Sequence, residues 1–105
     1  MFDFAGWAEW LENNHQTLQS DGLAIVFHDT RPLPECALNP CVGIDAETPQ
    51  RVGTIRFWQV GLCDYQVLDF SREDIVAAES MLEANDDTVR SLLSTFISFF
   101  AESAD

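Results

Sequence analysis

The sequence contains no lysine, and its only strong cations are five arginines. Schiff-base chemistry and the phosphate-cradling lysine of P-loops are therefore excluded. A chain so poor in cations is a weak ligand for a nucleic-acid backbone, where affinity comes from neutralised phosphates, and for anionic membrane surfaces. No direct nucleic-acid or membrane partner is expected. No apolar run approaches the roughly 20 residues needed to span a bilayer; the longest, Leu23 to Phe27, is the size of a strand. The opening Met1-Phe2-Asp3-Phe4-Ala5-Gly6-Trp7 has no basic region ahead of an apolar stretch, so it does not read as a secretory leader. Cysteine is scarce and odd in number: Cys36, Cys41 and Cys63 would leave one thiol over in any disulfide scheme. They read as reduced thiols in a cytoplasmic protein. Repeats and low-complexity tracts are absent.

What is present is acid and apolar bulk. The 105 residues include 18 Asp and Glu, for a formal net charge of −13, yet 47% are hydrophobic, with eight Phe, three Trp and one Tyr. That much apolar surface excludes a disordered acidic tail. The length allows one domain, residues 1–105, and leaves no room for a second core. Residues 1–52 carry eight acids and two Arg, and residues 53–105 carry ten acids and three Arg. The acid is thus a property of the folded surface. Such a surface attracts basic partners and speeds their encounter.

Residues 2–19 are predicted to be helix, with Phe4, Trp7, Trp10, Leu11 and Leu18 on one face, Asp3 at its N-terminus and a stop at Asp21-Gly22. Leu23–His28 is a short branched run that reads as a strand. Residues 29–40 contain Pro32, Pro34 and Pro40 and read as a loop. Cys41–Glu47 reads as a second strand. The clearest local signal is the alternation from Arg51 to Phe70, broken by Gly61: a hairpin with Ile55 and Phe57 facing Cys63, Tyr65 and Val67 on the core side. Ser71 resembles a helix cap, and Ile75, Ala78 and Leu82 then fall at helical spacing, so 72–84 is predicted as helix. Asn85-Asp86-Asp87 caps a last helix with the stripe Val89, Leu92, Leu93, Phe96, Ile97 and Phe100, ending at Glu102. Strands in meander order bracketed by helices argue for an α+β fold: an antiparallel meander of about four strands, flanked and packed by N- and C-terminal helices.

The chemistry-bearing residues make no strong site. His28, Cys36, Cys41 and Cys63 could form a zinc site on paper, but Cys36-x4-Cys41 is wider than a finger knuckle and contains Asn39-Pro40. Cys63 falls on the inferred core face, where a free Cys acts as a small hydrophobe. His15 lies on the polar side of the first helix and is expected to be solvated, and no Cys–His pair is selected. A carboxylate pair for acid–base work needs a cleft that so short a chain offers little means to build. No cofactor, metal or catalytic residue is expected, and the protein does not read as an enzyme. Trp7 and Trp10 read as core. Trp58 shares a strand face with Thr54 and Arg56, and either packs under a helix, the favoured reading, or serves as an exposed interface anchor.

The hairpin Val52-Gly53-Thr54-Ile55-Arg56-Phe57-Trp58-Gln59-Val60-Gly61-Leu62-Cys63-Asp64-Tyr65-Gln66-Val67-Leu68-Asp69 resembles a pattern in small bacterial immunity proteins of the TriTu type. There a Gly-started strand ends in Trp, a residue pair and Gly follow, and Cys-Asp opens a strand ending in Asp. The family also begins with an aromatic-rich helix like Phe4–Leu11 and closes with one like Val89–Ile97. The 29–40 segment has no counterpart in the pattern. The stretch before the last helix reads there as a further strand, against the helix that propensity predicts over 72–84.

The resemblance implies a non-catalytic antidote, encoded beside a polymorphic or contact-dependent toxin and held in the cytoplasm, where it binds and neutralises the toxin's C-terminal domain. The charge points independently to a basic partner, such as a nuclease with a basic groove. Loops and strand ends carry recognition on a rigid scaffold. The candidate contacts are therefore Asp29, Glu35, Asp45, Glu47 and Asp64, with Trp58 as the aromatic anchor. The alternative is a small acidic secretion chaperone holding an extended effector segment. Monomer and homodimer are both compatible with the sequence.

Overall fold

The computed structural model describes residues 2–19 and 22–101. Helix α1 spans Phe4–Asn14 and runs into a 3-10 turn over His15–Leu18. Five strands follow: β1 (Ala24–Asp29), β2 (Cys41–Glu47), β3 (Arg51–Trp58), β4 (Leu62–Asp69) and β5 (Asp74–Glu83). Helix α2 spans Val89–Ala101 and closes the fold. The strands form one antiparallel sheet in the order β1-β2-β3-β4-β5, an uninterrupted meander. The α+β architecture is as expected, with one strand more than the four read from the sequence.

Both helices pack on one face of the sheet. Alternation along β3 makes this possible: Gly53, Ile55 and Phe57 are buried while Thr54 is exposed and Arg56 and Trp58 are half-buried. On β4, Cys63 and Val67 are buried on the same side, with register Ile55↔Tyr65, Phe57↔Cys63 and Gly53↔Val67. From α1 come Phe4, Ala8 and Leu11, and from α2 Val89, Leu93, Phe96 and Phe100. Gly53 is the seat of α2. A Cβ there would lie 2.7 Å from the Gln66 carbonyl oxygen, 2.9 Å from Phe100 Cζ and 3.1 Å from Phe96 Cε1. Only a residue without a side chain lets the two rings reach the strand backbone.

At the edge of this core Arg51 and Asp69 form a buried ion pair, Nε to Oδ2 2.9 Å, and Arg51 also donates to the Phe99 carbonyl of α2. The second carboxylate oxygen, Oδ1, accepts from the Ser71 hydroxyl at 2.6 Å and from the Ser71 and Arg72 N–H groups. The Ser71 hydroxyl and the Arg51 guanidinium hold the Asp69 carboxyl well below the usual carboxylate range.

Several expectations need correction. Residues 72–84 are not a helix but contain β5. The register with β4 slips twice, between Cys63/Tyr65 and Val67/Leu68, so β5 carries two extra residues. Each slip breaks the period-2 pattern and leaves Ile75, Ala78 and Leu82 at spacings that mimic a helix. Ser71 is no cap; it closes the β4–β5 turn on Asp69, and Glu73 beside it takes φ 51°. The first helix ends sooner than expected, at Asn14. His15 is half-buried and not solvated: Nδ1 donates to the Glu12 carbonyl at 2.8 Å, and its ring stacks on Phe27 of β1 at 5.7 Å. Of the expected stop, Asp21 lies outside the described residues, and Gly22 adopts φ 83°. The expected end of the last helix at Glu102 also lies outside them. No helix among the described residues is long and apolar enough to cross a membrane.

Candidate functional site

The helices leave the other face of the sheet uncovered, and four of the six candidate residues share it. Antiparallel register places Val26, Asp45, Thr54, Gln66 and Ala78 in one row across it. The neighbouring row runs His28, Gly43, Arg56 and Asp64. Glu47, Val52, Leu68 and Ile75 form a row at one end, and Cys41, Trp58, Leu62 and Glu83 one at the other.

Arg56 is the centre of this face. Its Nη2 reaches Asp45 Oδ1 at 2.8 Å, and its Nη1 donates to the Ile44 and Ile55 carbonyl oxygens at 3.3 and 3.2 Å. The guanidinium therefore clips β3 to β2. Gly43 lies opposite Arg56, and a Cβ there would fall 1.8 Å from the Ile55 carbonyl oxygen, so the two strands approach closely only because that residue is glycine. Arg56 and Asp45 are only partly shielded from water, so the pair organises the face more than it stabilises the fold.

Asp64 has a structural partner for each oxygen. Oδ2 accepts from Trp58 Nε1 at 3.2 Å, and Oδ1 accepts from the Met81 N–H at 2.9 Å. Met81 sits in a left-handed conformation, φ 58°, at the second slip of β5. Asp64 thus replaces a ladder carbonyl where the bulge pulls β5 out of register, and Trp58 holds Asp64 in place. Trp58 is neither under a helix, as favoured from sequence, nor fully exposed; it is half-buried on the helix-free face. Thr54, Arg56, Asp64, Gln66, Ala78 and Ser80 border a shallow depression of about 460 Å³ beside it.

The remaining candidates lie elsewhere. Asp29 belongs to the helix-bearing side and grips Arg31 with both oxygens, at 2.7 to 3.1 Å, and this pairing holds its carboxyl below the usual range. Glu35 is exposed in a short 3-10 turn, Pro34–Cys36, of the loop between β1 and β2. Glu47 is exposed at the end of β2, on the open face. Three of the five arginines are thus engaged by Asp29, Asp69 and Asp45. A fourth, Arg90, lies over Trp7 and Trp10 at 5.9 and 5.2 Å from the ring centroids. With four of five arginines turned onto its own acids and rings, against 18 Asp and Glu, the molecule presents a predominantly negative surface.

The cysteines do not gather. Cys41 and Cys63 are buried, and burial pushes the Cys63 thiol up to about 12, far from a reactive thiolate. Among the described residues, no three His, Cys, Asp or Glu come together as metal ligands. Sequence reasoning missed Arg56 and Gly43. The strict alternation of β3 places Arg56 on the open face, but only the β2–β3 register shows that it meets Asp45.

A family model described as Immunity protein TriTu matches residues 5–99. The chain belongs to this family. The match runs from the first turn of α1 through all five strands and nearly to the end of α2. No curated protein and no solved structure matches the chain. The hairpin that carried the resemblance now has a physical account: Gly53 seats α2, Trp58 and Asp64 secure the bulge of β5, Cys63 fills the core and Asp69 anchors Arg51. The protein is an immunity protein, and its family implies a toxin as partner.

Proposed function

We propose that this immunity protein neutralises a basic toxin domain, such as a nuclease with a cationic substrate groove, by stoichiometric binding in the cytoplasm without catalysis. The observation that carries the reading is the family assignment joined to a net charge of −13 with no lysine. The acids are spread over the whole fold, and three of the five arginines are paired with them. Long-range attraction then brings a basic domain to the surface quickly, and a few desolvated contacts hold it. Asp45, Glu47, Trp58 and Asp64 on the open face are the proposed contact set, together with Asp29 on the helix-bearing side and Glu35 in the β1–β2 loop. Within it Asp64 and Trp58 act by shaping the surface, since their polar atoms already serve the bulge.

The test is the association rate of the purified protein with the toxin domain encoded by the neighbouring gene, measured across ionic strength. A rate that falls steeply as salt rises supports a basic partner steered by the acidic surface. A flat response removes the electrostatic part of the proposal and leaves the charge as a solubility device.

A further inference from the structure

A meander of five strands has two edges, and they differ in kind. Strand β5 is guarded. It carries two register slips, a left-handed residue at Met81, and the acids Asp74, Glu79 and Glu83. Bulges and charges are the devices that keep a sheet edge from pairing with another chain. Strand β1 has none of them along most of its length. Ala24-Ile25-Val26-Phe27 is uncharged, and its pairing with β2 is unbroken from Ala24 to Asp29.

The register shows which groups β1 leaves outside. The Thr30 N–H donates to the Cys41 carbonyl at 3.0 Å, so the even-numbered residues of β1 turn their backbone groups toward β2. The N–H and C=O groups of Ile25 and Phe27 consequently point away from the sheet. On the helix-bearing side His15 stacks on Phe27, while on the open side Val26 is 60% exposed. One strand further in, Asp45 lies across from Val26 and Glu47 across from Ala24.

We propose that β1 is a strand-accepting edge, at which an extended toxin segment bearing Lys or Arg at alternate positions adds a sixth strand, its basic side chains reaching over Ala24 and Val26 to Glu47 and Asp45. Strands lie about 4.8 Å apart, so the added strand would be about 10 Å from β2. A long basic side chain and a carboxylate side chain together span that gap, and the small Ala24 leaves the way clear. Another copy of this chain fits less well: its own β1 offers no Lys or Arg, and it brings a second net charge of −13. The proposal rests on the neutralisation reading above and names the contact by which it would act.

Residue-resolved amide hydrogen exchange, with and without the toxin domain encoded by the neighbouring gene, tests it. In the protein alone the Ile25 and Phe27 amides should exchange quickly for strand residues. In the complex they should slow by on the order of 100-fold, as expected when an edge becomes an interior strand, while the β5 amides keep their rates. A complex that forms with Ile25 and Phe27 unchanged overturns strand addition and leaves neutralisation standing. Failure of the two proteins to bind overturns both. Slow, concentration-dependent exchange at Ile25 and Phe27 in the protein alone would identify a second copy as the occupant and overturn the toxin-strand assignment. Val26→Lys, at an exposed position, supplies an independent check: placing a repelling cation on the edge should weaken toxin binding at least 10-fold, and unchanged affinity counts against the proposal.

Discussion

Gly53→Ala is the substitution most informative about how this fold is held. The added methyl would sit 2.7 Å from the Gln66 carbonyl oxygen, 2.9 Å from Phe100 Cζ and 3.1 Å from Phe96 Cε1. Favourable carbon contacts lie at about 3.5–4.0 Å, so each neighbour must retreat by roughly half an ångström or more. None can do so freely. The Gln66 oxygen belongs to the backbone of β4, and both rings are almost completely buried in the core. Overpacking of this kind costs about 1–3 kcal/mol. Against it stands a gain of about 0.4–1 kcal/mol, because alanine restricts the unfolded chain more than glycine. The net expectation is a loss of about 1–2 kcal/mol. For a domain of this size that lowers the thermal midpoint by about 4–10 °C. Urea unfolding followed by circular dichroism should show the midpoint falling with the slope unchanged. Thr54→Ala, one residue along on the exposed face, should stay within about 0.5 kcal/mol of the parent. A Gly53→Ala protein as stable as the parent would refute the seating of α2 against β3.

Three further outcomes follow from the same contacts. Asp64→Ala strips the acceptor from Trp58 Nε1 and from the Met81 N–H; it should cost about 1–2 kcal/mol and quicken amide exchange at Met81, whereas unchanged exchange there would mean the bulge holds itself. Because the Asp69 carboxyl is held well below its ordinary value, the stability it contributes is fully present above about pH 4, the unfolded value, and is lost as pH falls toward the folded one; Asp69→Asn should flatten this acid limb of a stability–pH curve, and an unaltered limb would assign it to other carboxyls. Alkylation at pH 8 should modify half-buried Cys36 first and spare Cys63, whose thiol is pushed to about 12 by burial; rapid labelling of Cys63 in the native protein would contradict its place in the core.

The elements that were legible in sequence are those whose side chains keep one period. In β3, buried Gly53, Ile55 and Phe57 alternate without interruption with Thr54, Arg56 and Trp58, and Gly61 marks the turn with φ 93°. The stripe of α2 likewise holds its helical spacing from Val89 to Phe100. Strand β5 was hidden because its two slips destroy alternation, and the carboxylate that secures one of them, Asp64, lies 17 residues away in the chain. The fate of Trp58 was hidden for a related reason. Period alone assigns it to the face opposite Phe57, but which face the helices cover is decided by packing at Gly53, Phe96 and Phe100. Of the acids chosen as contacts, Asp45, Glu47 and Asp64 prove to share a surface. Asp29 does not, because an odd-numbered residue of β1 faces the helices. Charge and family pattern identified the kind of protein; register was needed to say which side chains meet.

The most direct measurement of the central claim is growth of cells expressing the toxin domain encoded by the neighbouring gene, with and without this protein. Neutralisation predicts that the toxin domain alone arrests growth and that co-expression of the immunity protein restores it. A toxin-expressing strain that still fails to grow, with the immunity protein folded and abundant, would contradict the account.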